Sequence, residues 1–187
     1  TEIYTLSLHD ALPIFSNLPY SRSLLRNAMR QAQDSMSYYR LMGLYGKTFF
    51  ISSDFDSILY YNRPVKEYDK RAAACPRWND VLSDVYNIEG NVWMQLNQPD
   101  SAVAYYEKSY AYRLKGDKAH LLSDICMNLA DAHLHRGELA HTASYYRRAL
   151  FICDSLHLSE HSKFPVYCGL GQTYMDWKRY LLKNLQH

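Results

Sequence analysis

Residues 82–109 read LSDVYNIEGNVWMQLNQPDSAVAYYEKS, and residues 122–149 read LSDICMNLADAHLHRGELAHTASYYRRA. Leu82-Ser83-Asp84 returns as Leu122-Ser123-Asp124, Tyr105-Tyr106 as Tyr145-Tyr146, Gly90 as Ala130 and Ser109 as Ala149. A fixed period of about forty residues marks stacked copies of one supersecondary unit, none of which buries its apolar side alone. Within each copy the aromatic and apolar positions recur at three and four, not at two, which predicts helices. The connections are short, so successive helices are expected to pack antiparallel.

Outward from this core the same period continues. Leu24, Leu25, Ala28 and Ala32 form the stripe of a predicted helix over 21–33, and Met42, Tyr45, Gly46 and Phe49 that of a second over 37–52. Ser53-Asp54 reads as a turn, with a return helix from Phe55 to Asn62. Pro64 predicts a break or kink, and 63–76 is the least regular stretch. Pro76 and Pro99 stand where first-turn prolines belong, opening helices to Leu96 and to about Lys115. Gly116 and Gly137 are both expected to cap their helices in a left-handed backbone, the second closing a helix over 117–136. Helices over 138–156 and 159–177 come next, the latter capped by Ser159, and a last one starts near Arg179.

Twenty-one Lys and Arg against nineteen Asp and Glu give a net charge of +2. That is too mild to imply nucleic acid or an anionic membrane. No apolar run approaches the roughly eighteen residues of a membrane span. Cys75, Cys126, Cys153 and Cys168 show no Cys-x-x-Cys spacing; Cys126 and Cys153 fall in apolar phase and read as buried structural thiols. The cysteines do not fix a compartment. Eighteen tyrosines suit helix packing through large amphipathic rings.

The hairpins resemble tetratricopeptide repeats. The copy Leu129-Ala130, His133, Gly137, Thr142, Tyr146 and Ala149 carries the family pattern most clearly. Before it stand Glu89-Gly90, Trp93, Asn97, Ala102, Tyr106 and Ser109; earlier still, Tyr45-Gly46, Phe49, Ser53, Ile58 and Tyr61, the last ring one residue early. After it come Leu170-Gly171, Tyr174, Lys178 and Tyr180. The small residues Gly46, Gly90, Ala130 and Gly171 would let hairpin helices approach, with Phe49, Trp93 and Tyr174 filling the space beside them. Ala102, Ser109 and Ala149 would do the same on second helices. Glu89 and His133 depart from the apolar pattern, and His133 is expected in the core with a hydrogen-bond partner. Copies spaced 44, 40 and 41 residues resemble the lengthened repeats of bacterial sensors and regulators. The resemblance implies an all-α, right-handed α-α superhelix of about four hairpins over residues 15–187.

Residues 1–14 stand apart. Glu2 to Ile14 matches, residue for residue, the translation of a common sequencing adapter, so this segment is set aside as an artefact. It also lacks the basic start and continuous apolar run of a signal peptide. The gene is therefore expected to be cut at its 5′ side, and the array to be truncated at the C-terminal end.

In this family the first helix of each hairpin lines a concave groove. The matching positions are Arg40, Lys47 and Phe50; Asp84, Asn87, Asn91 and Met94; Asp124, Met127, Asp131 and Leu134; and Gln172 and Met175. They are expected to bind a protein or peptide, through a groove basic at its N-terminal end and acidic in the middle. A carboxylate clamp through Lys47, Asn91 and Asn128 is disfavoured, because Gly43, Ile88 and Asp124 stand where such a clamp needs polar or basic ligands. His157 and His161 flank a turn and read as surface histidines, not as a metal pair. Asp54 and Asp56 read as helix caps, and no phosphate-binding, dinucleotide or nucleophile-elbow motif occurs. Neither cofactor nor catalysis is expected. Lys108, Arg147 and Arg148 lie on second helices, away from the groove, which argues against a nucleic-acid stacking platform. Self-association is left open. The alternative role is a sensory or regulatory segment of a larger signalling protein, a histidine kinase or transcription regulator, with its output domain beyond His187.

Overall fold

The computed structural model describes residues 17–68 and 75–184. The adapter-like segment 1–14 lies outside them, as does much of the irregular stretch 63–76. All described regular structure is helical, with no strand among the described residues, and the chain divides into two units, Thr1–Ala73 and Ala74–His187.

The first unit holds α1 (Leu18–Gln31), α2 (Ser35–Lys47) and α3 (Phe55–Tyr68), α1 packing on α2 and α2 on α3. Each helix starts at a side-chain cap. Asn17 accepts from the Tyr20 amide, Asp34 from Ser37 at 2.8 Å, and Asp54 from Ser57 at 3.1 Å. Arg22 on α1 donates to Thr48 Oγ1 and Thr48 O, both at 3.1 Å, and its guanidinium lies 3.9 Å over the Phe49 ring. Tyr45, Phe49 and Tyr61 stack into one aromatic group against this turn. The break expected at Pro64 does not occur; α3 continues through it to Tyr68. The ring removes one helical hydrogen bond, but Ile58, Asn62 and Val65 are buried on one face on both sides of it. Tertiary packing outweighs the local penalty.

The second unit holds α4 (Pro76–Gln95), α5 (Pro99–Arg113), a 3-10 turn (Ala119–Leu121), α6 (Leu122–His135), α7 (Leu139–Ser155) and α8 (Glu160–Asn184). Successive helices pack in order: α4 on α5, α5 on α6, α6 on α7, α7 on α8. The core runs along these contacts through Leu82, Val92, Ala102, Leu129, Ala130, Ala149 and Val166.

Four turns share one geometry. Ser53, Asn97, Gly137 and His157 have φ of +52°, +55°, +73° and +50°. In each, the next amide bonds back to a carbonyl five residues earlier: Asp54 to Phe49, Gln98 to Trp93, Glu138 to His133, Leu158 to Cys153. The last three are Schellman closures, which satisfy the last carbonyls of α4, α6 and α7; the first closes the hydrogen-bonded turn that follows α2. Gly116, expected to act in the same way, has no positive φ. A Cβ there would instead meet Asp80 Oδ1 at 2.3 Å. Asp80, on α4, also accepts from the Asp117 and Lys118 amides at 3.1 and 3.3 Å. The α5–α6 link is thus held from α4, and a 3-10 turn precedes α6 in place of the continuous helix expected over 117–136.

The small-residue rule holds for three of four copies. A Cβ on Gly46 would meet Tyr61 Cβ at 3.1 Å, and one on Gly90 the Tyr106 ring at 2.4 Å; Ala130 is fully buried beside Tyr146. Gly171 is the exception, with nothing within 4 Å, and Tyr174, expected as its companion, is 47% exposed. The reason is that α8 continues straight through Lys178 and Arg179 to Asn184. Among the described residues no return helix packs on that face. Gly169 is the close-contact glycine of α8, and a Cβ there would meet the Tyr146 ring at 2.3 Å.

These contacts set up a graded series. Gly90→Ala should destabilise by about 1–3 kcal/mol, because the Tyr106 ring is itself buried and cannot retreat. Gly137→Ala should cost about 1–2 kcal/mol through its backbone alone, since its Cβ meets nothing. Gly171→Ala, in an open helical position, should stabilise by about 0.5–1 kcal/mol. Denaturant melts of the three variants rank them; a destabilised Gly171→Ala would overturn the assignment of its face.

Asn62 supplies a second test. It occupies the place taken by Tyr106 and Tyr146 in later copies, is fully buried, and its Oδ1 and Nδ2 have no hydrogen-bond partner among the described residues. Asn62→Leu should stabilise the first unit by about 1–2 kcal/mol, read as a higher denaturation midpoint, since an apolar group of similar shape leaves nothing unsatisfied.

Candidate functional site

The first helices α4 and α6 carry matched polar stripes. Asp84, Asn87 and Asn91 are spaced three and four apart on α4, as Asp124, Asn128 and Asp131 lie four and three apart on α6, so each set lies along one helical face. The two stripes adjoin, because Asn128 Nδ2 donates to Asn87 Oδ1 at 2.9 Å.

The second helices hold these side chains from behind. The Tyr106 hydroxyl on α5 donates to Asn91 Oδ1 at 2.7 Å, and the Tyr146 hydroxyl on α7 donates to Asp131 Oδ1. Both rings are buried. Burial, and then the charge of Asp131, pushes the Tyr106 phenol upward. Burial, the bond to Asp131 and its charge do the same to Tyr146. Both phenols therefore stay protonated donors over the ordinary pH range. Of the other members of the pairs, Tyr105 lies 6.0 Å from Trp93 and Tyr145 stacks 5.2 Å from His133, each on the first helix of its own hairpin; Tyr145 also packs on the core cluster that includes Ala102 and Val103 of α5.

Arg113 at the end of α5 is 2% exposed. Its Nη1 bonds Asp80 Oδ1 at 2.6 Å and its Nη2 bonds Asp84 Oδ1. Asp84 thus faces the stripe already neutralised. One period later, the position of Arg113 is Cys153 and that of Asp80 is His120, so Asp124 lacks a guanidinium from its own repeat. Sequence reading missed Arg113 and Asp80. The available signal was a cation in the same phase as the buried Cys153, which has no reason to be there unless paired.

The remaining expected positions scatter. Met94 and Met127 are half-buried against the two core clusters, and Leu134 is half-buried on α6. Gln172 is exposed on α8 and donates to Asp176 at 3.0 and 3.1 Å, while Met175 is exposed on the same helix. Arg40 and Lys47 are exposed on α2, and Phe50 is half-buried in the turn after it, against Phe55. These three belong to the first unit; the others belong to the second.

Cys126 and Cys153 are fully buried, as expected, and burial pushes the Cys126 thiol up to about 12. Lys108 lies over the Tyr86 and Tyr105 rings, and Arg148 lies 4.8 Å from the Tyr110 ring centre. Both cations sit on second helices, against aromatic faces. His133 is in the core as expected, with Nδ1 2.7 Å from Glu138 Oε2. With Glu138 and His141 it forms the group of ligand-type side chains that the fold brings together among the described residues; the His157–His161 pair forms none.

The hairpin of α4 and α5 also has a counterpart among known families. Residues 83–119, covering most of α4, all of α5 and the link beyond, match the tetratricopeptide repeat model, and this stretch is a tetratricopeptide repeat. The chain as described is an all-α array of tetratricopeptide-like hairpins. No curated protein matches it. Repeats of this kind are protein-interaction scaffolds and are typically not enzymes. No described helix is long and apolar enough to cross a membrane.

Removing Arg113 tests the support of the stripe. Arg113→Met leaves Asp80 buried without its charge partner and should cost about 3–5 kcal/mol. Arg179→Ala, which breaks the exposed pair with Asp176, should cost under about 1 kcal/mol. Chemical denaturation of both variants measures the difference.

Proposed function

We propose that the joined face of α4 and α6 binds a protein partner through an extended or helical segment carrying basic side chains. The observation that carries this reading is the Asn87–Asn128 bond, which merges two first helices into one polar surface whose charge is acidic at Asp124 and Asp131. Asn87, Asn91, Met94, Met127 and Leu134 would supply hydrogen bonds and apolar contact along that segment. Gln172 of α8 would extend the surface. Arg40 and Lys47, on the first unit, would form a separate basic patch.

Several features support a binding role over an incidental solvated face. Asn91 and Asp131 are held in place from behind by buried tyrosines, which lowers the entropy lost on docking. The acid at the shared position is ion-paired with Arg113 in one repeat, at Asp84, whereas in the next Asp124 feels Arg113 and His120 only at longer range. The cations on the outer helices lie against aromatic rings, which disfavours an RNA-binding stripe. We assign no catalytic step to this surface. A regulatory segment of a longer signalling protein would use the same face.

Selection of peptides from a random displayed library against the whole chain tests the proposal. Selected sequences should be enriched in Lys and Arg, and their affinity should fall with added salt. Asp124→Lys should weaken them by about tenfold or more. Peptides that bind Asp124→Lys as tightly as the parent, or that map to Lys108, Arg147 and Arg148 on the outer helices, would overturn it.

A further inference from the structure

We propose that His133, Glu138 and His141 form a site for a divalent transition-metal ion, with Zn2+ as the best match. The site lies on the turn between α6 and α7, and it does not depend on the reading of the groove.

The three ligand atoms come from a rigid frame. His133 is in the last turn of α6, Glu138 precedes the first residue of α7, and His141 lies within the first turn of α7. The Schellman closure at Gly137, with the Glu138 amide bonded to His133 O at 2.9 Å, fixes how far apart they stand. Glu138 Oε2 lies 2.7 Å from His133 Nδ1 and 3.5 Å from His141 Nδ1, and all three ligand atoms fall within 4.8 Å of one another. A tetrahedral Zn2+, with ligands at about 2.0–2.1 Å, needs its ligand atoms roughly 3.3 Å apart. The observed spacings bracket that value. His133 is 6% exposed and held by the stacked Tyr145 ring, whereas the His141 side chain is 66% exposed and can turn to close the remaining gap.

The chemistry of the set fits the same ion. Two imidazoles and one carboxylate are a borderline donor group suited to Zn2+, and they leave a fourth position open to solvent. The supporting contacts resemble those of a metal site as well. Arg136 Nη2 bonds the other Glu138 oxygen at 3.0 Å, orienting Oε2 toward the imidazoles. Asp100 of the preceding hairpin takes Arg136 Nε at 2.9 Å. Two carboxylates and one guanidinium leave the turn with an excess negative charge, which an incoming cation would offset. Without a metal, one carboxylate oxygen serves two imidazoles whose rings stack 5.1 Å apart, an arrangement a cation between their nitrogens would tie together. A bound ion would pin the end of α6 to the start of α7 and stabilise the fold by linkage.

Calorimetric titration of the whole chain with Zn2+, with Co2+ as the optical probe, tests this. One equivalent of Zn2+ should bind and raise the melting midpoint, and Co2+ should give the intense visible bands of a four-coordinate site. His141→Ala, exposed and therefore compatible with folding, should lower Zn2+ affinity by more than about 100-fold, and Glu138→Gln should act in the same direction. The double variant His157→Ala/His161→Ala should bind as the parent does. Far-UV circular dichroism checks that each variant is folded. Absence of stoichiometric binding in the parent, parental affinity in His141→Ala, or an equal loss in the His157/His161 variant would each overturn the site.

Discussion

The hairpins α4–α5 and α6–α7 depend on a tyrosine from the second helix seated where the first helix has almost no side chain. Tyr106 lies where a Cβ on Gly90 would come within 2.4 Å of its ring, and Tyr146 packs against Ala130. A buried ring contributes through its area, but its hydroxyl is costly unless paired. In both copies the acceptor is the residue directly after the small one, Asn91 or Asp131. One contact therefore closes the hairpin and also orients a polar side chain of the first helix. Tyr146 does more, because Gly169 of α8 approaches the same ring and joins the next helix to the stack.

The first unit lacks this tyrosine, and its hairpin closes differently. At Asn62 the side chain is too short to reach across, so Tyr61 turns its ring into the group with Tyr45 and Phe49. The residue after Gly46 is Lys47, a donor, which has no need of a donating phenol from α3. Hairpin closure and the polarity of the first-helix face change together.

Much of this was legible because the repeat is local. The period placed the small residues, the buried second-helix positions and the turn residues Ser53, Asn97 and Gly137 in phase, and the left-handed backbone falls on all three. What escaped was decided from outside each segment. Lys115-Gly116-Asp117 and Arg136-Gly137-Glu138 look alike in sequence, a glycine between a cation and an acid. They differ because Asp80, on α4, captures the amides after Gly116 and removes the need for a left-handed cap. Pro64 is carried by the buried face of α3, and Gly171 stays open because α8 runs on through Lys178 and Arg179 to Asn184. The polar positions Asp84, Asn87 and Asn91 were readable as a stripe, since a stripe needs only helical spacing. Their charge was not, since it is set by side chains on other helices.

Asp84 and Asp124 occupy one position in successive copies and are identical in sequence. Arg113 stands behind the first and Cys153 behind the second, so Asp84 is ion-paired to Arg113, whereas Asp124 feels the charges of His120 and Arg113 only at longer range. The pair Asp80–Arg113 is buried and cannot lose one member cheaply, whereas His120 and Cys153 carry no such obligation. Exchanging a buried cation for a thiol on the second helix thus changes the charge of the first-helix face without altering any residue on it. The layer behind this face sets how its acids are paired, through residues that look like core.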